Sequence, residues 1–273
     1  MSTALSVVPV SQFQAFDETS RAAKALAANT DGVGFSQSDL ITVKTPSGGA
    51  QFWEVPGPSG PQAVPEITGL LVFRAYQGII WPSTDPSPSS KPVIVTRDMN
   101  KGILQAKAER DADGKITAIE GATDSMVEIL RSHESSTPGV FDWKTLPYTQ
   151  FGSGKNKSGK YAKEGALLFI LRNGSVLPII VKTGPSALKG IRNFLTQVEY
   201  PFWQCIVGLT LAADDAQGTD PSGRPVSVKY SLAKISLKSV ISDADADTVK
   251  AKYTDLLRSD WEAGNIDQQV NVD

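Results

Sequence analysis

The segment of residues 151–165, FGSGKNKSGKYAKEG, has the residue types that bind phosphate groups. It contains four lysines, four glycines and two aromatic rings. Lysines supply positive charge, and glycines let a backbone approach an anion closely. Three interpretations are open: a cradle for the phosphates of ATP, a flexible arm for a polynucleotide, and a solvated loop without a ligand.

Binding of ATP requires a pattern that this segment does not complete. Residues 154–161, GKNKSGKY, match G-x-x-x-x-G-K but end in Tyr161, where Ser or Thr is needed. That hydroxyl binds Mg²⁺, and a tyrosine hydroxyl lies too far from the backbone to replace it. The pattern must also open a helix, whereas the strand-like run ALLFIL soon follows. We therefore exclude ATP binding at this segment.

Positive charge is concentrated in residues 151–195. Eight basic side chains and one acidic side chain, Glu164, give this region a net charge of +7 in a chain whose net charge is −2. Such segregation attracts phosphates to one region, and each phosphate contact releases bound counterions. Seven of the eight basic residues are predicted to contact phosphates: Lys155, Lys157, Lys160, Lys163, Arg172, Lys182 and Arg192.

Aromatic rings accompany these charges. Tyr148, Phe151 and Tyr161, with Tyr76 from an upstream strand, are predicted to stack on bases. A base stacked on a ring contributes about 1–3 kcal/mol in a manner that tolerates any sequence. Charge and stacking together are what a single-strand binder needs. The alternative is a solvated loop whose rings anchor it to the core, and the sequence leaves both interpretations open.

No other residues form a constellation for catalysis or metal binding. Cys205 and His133 are the only cysteine and the only histidine, which excludes an internal disulfide and His-pair metal motifs. DADAD at 243–247 begins like a calcium loop, but Thr248 and Thr254 stand where Gly and Glu are required. We therefore expect no enzymatic activity, no cofactor and no metal.

Most of the elements that would position these residues are predicted to be strands. The run ITGLLVFRAYQGIIW, 67–81, indicates a long bent strand. ALLFILR and SVLPIIVK indicate two strands around a tight type I′ turn at Asn173-Gly174. Helical spacing follows in residues 185–200, and two further strands come after it. A final helix opens at SDADAD and is predicted to present Val249, Tyr253, Leu256 and Leu257 on one side.

This order of elements is that of the oligonucleotide-binding (OB) fold. A long bent strand, an insertion, two strands, a helix and two strands predict an α+β protein of mainly antiparallel β structure. The expected architecture is an OB-like five-stranded barrel with N-terminal additions and a C-terminal helix. The predicted organisation is an N-terminal helical extension over 1–40, the elaborated OB-like domain over 41–240, and a C-terminal helix with a polar tail over 241–273.

The run that begins LPYTQFGSGKNKSGKYAKEG and ends at Leu195 resembles a group of phage and mobile-element proteins. They share a P-Y/L-x-Q-F/W-G-S-G segment, a G-K-x-x-K-E tract, a strand pair and an x-P-x-S-L-K turn into a helix. The likeness extends over residues 40–240. It implies an OB-like protein that binds single-stranded DNA. Many of these proteins carry cysteines suggestive of a zinc clip, and Leu146 and Ala162 lie where thiolates would be expected.

The resulting expectation is sequence-nonspecific binding of single-stranded DNA, with RNA left open, in phage or mobile-element replication or recombination. Replication or recombination proteins and a second copy of the chain are the expected protein partners. The alternative is a structural or interaction protein, such as a virion component or an inhibitor of a host defence system, with no nucleic-acid role. No apolar run approaches ~18 residues and no signal-peptide pattern begins the chain, so we expect no membrane partner and a place in the bacterial host's cytoplasm.

Overall fold

The computed structural model describes residues 5–17, 24, 40–57, 59–84, 86–87, 90–154, 159–219, 222 and 224–263. The chain divides into two compact units. The first contains the chain up to Ala75, then Ala166–Ala216, then the chain from Lys229 onward. The second contains Tyr76–Gly165 and Gln217–Val228.

The predicted N-terminal helix falls mostly outside the described residues. In the described part of this extension, Val7–Val8 is a short strand and Val10–Gln12 and Gln14–Phe16 form 3₁₀ turns, with Phe13 buried between them. The predicted polar tail from 264 also lies outside the described residues. The domain boundaries at 40 and 240 stay a prediction.

Strands make up most of the regular structure, and the longest are rich in β-branched residues. In chain order they are β1 Val7–Val8, β2 Thr42–Lys44, β3 Trp53–Val55, β4 Gln62–Val64, β5 Glu66–Ile80, β6 Ile94–Thr96, β7 Lys101–Leu104, β8 Ala108–Arg110, β9 Ile116–Ile119, β10 Val140–Asp142, β11 Lys163–Leu171, β12 Ile179–Thr183, β13 Cys205–Thr219 and β14 Pro225–Ile241.

The predicted five-stranded OB barrel is wrong. Ten strands form one mixed sheet whose main path is β1-β14-β13-β5-β11-β12-β2, with β6, β7 and β10 following from β5. β1 pairs in parallel with β14, and β2 pairs in parallel with β12. A barrel closes only when its end strands pair with each other. Here the ends of the path are two different N-terminal strands, and no closed barrel forms in the part of the chain that the structure describes.

The predicted hairpin after residue 165 is confirmed, but its turn differs. β11 and β12 pair antiparallel from Ala166 opposite Thr183 to Ile170 opposite Ile179. The strands therefore separate before the Asn-Gly pair. Ser175 N donates to Arg172 O at 3.1 Å, and Gly174 has a φ of 81° while Asn173 does not adopt a positive φ. A type I′ turn needs positive φ at both central residues, so that assignment is wrong.

The helices are α1 Asp124–His133, α2 Leu188–Gln197, α3 Asp243–Val249 and α4 Asp255–Ala263, with a π-helical turn, Lys250–Thr254, between the last two. α2 confirms the predicted helical spacing. The C-terminal helix is also confirmed, but Leu256 is 59% exposed. A π turn adds a residue to the helical repeat, so positions after it rotate away from the expected face. None of the described helices has both the length and the apolar character to cross a membrane.

The core of the first unit joins the C-terminal helices to the sheet. Val249 and Tyr253 pack with Leu70, Val72 and Phe169. The Thr254 hydroxyl donates to Val72 O at 2.6 Å, which fixes the π turn against β5.

The core of the second unit is built around Trp143. Its indole is buried and lies against Gly78 of β5, where any side chain would overlap the ring. α1 contributes Met126 and Leu130 to the same cluster. This core supports the basic segment singled out by the sequence.

Candidate nucleic-acid interface

The basic loop, residues 150–162, is closed at its base by backbone hydrogen bonds. Gly152 N donates to Gly159 O at 2.6 Å, and Gly154 N lies 3.4 Å from the same oxygen. Gly152 and Gly159 have φ values of 91° and 58°, a region that side chains disfavour. The glycines thus serve to close the loop. Its tip, residues 155–158, lies outside the described residues and carries Lys155 and Lys157.

Ser153 ties the two sides of the base together. Its hydroxyl lies 2.6 Å from Gln150 O and 3.0 Å from Tyr148 O, and accepts a hydrogen bond from Tyr161 N at 2.9 Å. Ala162 N donates to Tyr148 O at 2.9 Å. The residues that enter and leave the tip are therefore held next to each other.

Tyr148 and Tyr161 anchor this base to the core. Their ring centroids are 5.0 Å apart, and both rings pack on the hydrophobic cluster of the second unit. The Tyr161 hydroxyl donates to Trp81 O at 3.0 Å. Burial, with a smaller contribution from Tyr161, raises the pKa of Tyr148 to about 12, and burial also raises the pKa of Tyr161. These contacts favour anchoring over base stacking for both rings. Tyr76 is likewise half-buried against this cluster.

Phe151 is the predicted stacking residue that the structure exposes. Its side chain is 85% exposed, although its neighbours in the loop base are hydrogen-bonded to one another. An isolated exposed phenyl ring on a fixed backbone offers an open face to a planar partner. Among the predicted stacking residues, its position suits base contact best.

The lysines of the loop differ in their surroundings. Lys160 forms an ion pair with Glu164, with Nζ and Oε2 2.9 Å apart, and its side chain remains 39% exposed. Lys163, the first residue of β11, is exposed. Among the described residues, Phe151 of the loop and Lys163 just after it are therefore exposed, while Lys160 is paired with Glu164.

The other predicted phosphate contacts belong to the first unit. Arg172 is half-buried just after β11, and Arg192 is exposed on α2. Lys182 is half-buried in β12, where it is the register partner of Lys44 in β2. Of the predicted contacts that the structure describes, Arg172, Lys182 and Arg192 thus belong to the first unit, and the second unit contains Tyr76, Tyr148, Phe151, Lys160, Tyr161 and Lys163.

Two residues that matter here were missed by the sequence analysis. The role of Glu164 as the partner of Lys160 was not predicted, because a spacing of four residues brings side chains together on a helix, whereas this pair joins a loop residue to the second residue of β11. The sequence does not indicate that Lys44 lies next to Lys182, because parallel pairing between the distant segments β2 and β12 brings them together.

No metal centre is found among the residues that the structure describes, since no group of three or more His, Cys, Asp or Glu could hold an ion. Leu146 and Ala162, where the resemblance placed zinc-binding cysteines, both belong to the hydrophobic cluster of the second unit. Apolar packing occupies those positions.

No protein-family model, no curated protein and no solved structure matches this chain. The likeness to phage and mobile-element proteins therefore stays an expectation from sequence. The function proposed below therefore depends on the geometry of the loop.

The cysteine in β13 gives a prediction for the first unit. Cys205 is buried, its Sγ lies 3.4 Å from Pro201 O, and burial raises the pKa of the thiol to about 11. The thiolate is the reactive form, so near pH 8 only about one thiol in a thousand would be reactive. We expect iodoacetamide to label the native protein at least about 100-fold more slowly than the urea-unfolded protein. Mass spectrometry of timed samples measures this ratio, and equal labelling rates would contradict the buried position.

Proposed function

We propose that this protein binds single-stranded DNA without strong sequence preference, through the basic loop and the exposed ring beside it. The observation that carries the proposal is Phe151, 85% exposed on a loop whose base is fixed. Because hydrogen bonds hold the backbone on both sides of Phe151, little backbone freedom is lost when a base stacks on the ring. Replication or recombination in a phage or mobile element is the setting in which such binding would protect or present DNA.

Charge around the ring supports a polyanionic ligand. Lys155 and Lys157 belong to the loop tip, and exposed Lys163 follows the loop. Phosphate contacts by lysine are independent of base identity, and stacking on phenylalanine tolerates every base. A base must be unstacked from its neighbour to meet the ring, so the arrangement favours a single strand over a duplex.

Neutralising the tip lysines tests the proposal. In a fluorescence titration with a dT oligonucleotide, we expect Lys155→Gln/Lys157→Gln to weaken binding and to reduce the slope of log Kobs against log[salt] by about 1.4, since each single-strand phosphate contact contributes about 0.7. An RNA oligonucleotide of the same length measures the preference between DNA and RNA.

The matched control is Lys107→Gln/Lys115→Gln, which removes the same charge from exposed positions of the same unit. The proposal is contradicted if the control and the tip variant change the affinity and the slope equally, or if the unmodified protein does not bind. Salt-insensitive self-assembly without nucleic acid would favour a structural or interaction protein.

A further inference from the structure

Glu164 lies at the point where the basic loop joins the core. It is the second residue of β11, and only 6% of its side chain is exposed. Its two carboxylate oxygens have different partners: Trp143 Nε1–H donates to Oε1 at 3.1 Å, and Lys160 Nζ donates to Oε2 at 2.9 Å. One buried carboxylate thus joins a core indole to a loop lysine.

The indole side of this connection is rigid. Trp143 is enclosed by Gly78, Gly102 and the cluster around them, so its N–H has a fixed direction. The Trp143 indole therefore fixes Glu164, and Glu164 in turn holds Lys160. Lys160 is the residue after Gly159, whose carbonyl oxygen closes the base of the loop.

Moving the Lys160 ammonium group from Glu164 to another anion is energetically unfavourable. A buried carboxylate that loses its cation is left with an uncompensated charge, a more severe penalty than losing an exposed pair. A phosphate that captured Lys160 would impose this penalty on Glu164.

We infer that the Lys160–Glu164 pair is a positioning device, which fixes the base of the basic loop so that Phe151 meets the nucleic acid, and that Lys160 is not itself a phosphate contact. This inference rests on the proposed function. It assigns Lys160 a role different from the one its place in the lysine tract predicted.

Salt dependence separates positioning from phosphate contact. In the full-length protein, Lys160→Gln is expected to lower affinity for a dT oligonucleotide by about 3- to 10-fold, because the loop must be ordered on binding. The slope of log Kobs against log[salt] should stay unchanged, whereas loss of a phosphate contact would reduce it by about 0.7. Lys160→Arg keeps the ion pair and should restore the affinity.

The double variant Lys160→Gln/Glu164→Gln leaves no orphan charge and keeps an acceptor for the Trp143 indole. It should fold and should bind no more weakly than Lys160→Gln alone. Hydrogen exchange without nucleic acid gives an independent measurement: peptides covering 148–162 should exchange faster in both variants, while those covering β7 should not change.

Three results would overturn the inference: a reduced salt slope for Lys160→Gln, tighter binding by Glu164→Gln, or unchanged exchange of residues 148–162 in both variants. Absence of oligonucleotide binding by the unmodified protein would instead refute the proposed function and, with it, the role of the pair in binding. The exchange experiment would then decide separately whether the pair fixes the loop.

Discussion

Replacement of Phe151 by alanine is expected to lower affinity for a dT oligonucleotide by about 5- to 150-fold, the equivalent of the 1–3 kcal/mol that one base–aromatic stack contributes. The free energy of unfolding should hardly change, because the ring is 85% exposed and leaves no cavity when removed. Anisotropy titration measures the affinity, and urea-induced unfolding measures the stability.

Phe52→Ala provides a matched control for this change. Phe52 is also an exposed phenylalanine, at 55%, but it belongs to the first unit and lies outside the lysine-rich segment 151–165. We expect its replacement to leave affinity unchanged. Equal affinity for the Phe151 variant and the unmodified protein would show that the ring does not stack on bases. Phe151 would then be better explained as a contact for another protein.

The largest expected effect on stability comes from Trp143→Ala. Removing a buried tryptophan costs about 3–5 kcal/mol of unfolding free energy, because the core loses contacts and cannot fill the space. Trp143 contacts both Gly78 and Gly102, and backbone at glycine positions has no side chain to move into a cavity. Urea unfolding followed by circular dichroism measures the loss.

Trp143→Phe measures the contribution of the indole hydrogen bond separately from that of the apolar ring. It keeps most of the apolar volume but removes the N–H that donates to Glu164 Oε1 at 3.1 Å. A buried acceptor left without its donor costs about 1–3 kcal/mol, so this variant should lie between alanine and the unmodified protein. A loss below about 1 kcal/mol for Trp143→Ala would contradict its place at the centre of the second unit's core.

Local structure could be predicted from the sequence where it depends on residues that are close together in the chain. Asp113-Gly114, a dipeptide typical of hairpin turns, lies between the antiparallel strands β8 and β9, and Gly114 has a φ of 77°. The pairing of β11 with β12 and the helical spacing of α2 could be predicted in the same way, but α2 begins at Leu188, later than the predicted segment from residue 185. In each case the hydrophobic period and the turn residues lie within one short segment.

The sheet topology could not be predicted from the sequence, because it depends on pairing between segments that are distant in the chain. β1 and β2 are very short strands, yet by pairing with β14 and β12 they occupy both ends of the sheet path. The residues of β1 and β2 do not themselves indicate which strands they pair with. The π turn at Lys250–Thr254 is a similar case, since its effect on Leu256 depends on packing of Tyr253 and Thr254 against the rest of the first unit.

The candidate site was predictable as a region but not residue by residue. Composition located the lysines and rings, and it left open whether the rings were exposed or anchoring. Tyr148 and Tyr161 proved to be anchored by the core around Trp143, whereas Phe151 is exposed. The difference arises from tertiary contacts such as Tyr161 to Trp81 O, which span 80 residues of chain.

The proposed function requires that a loop with a fixed base presents Phe151 to a bare polynucleotide strand beside a lysine-rich segment. The most direct test is a titration of a fluorescent dT oligonucleotide, and of its duplex, at several salt concentrations between about 50 and 300 mM. We expect tighter binding to the single strand and a slope of log Kobs against log[salt] near −2, as about three phosphate contacts would give. Absence of binding at the lowest salt, or an affinity that salt does not change, would contradict the account.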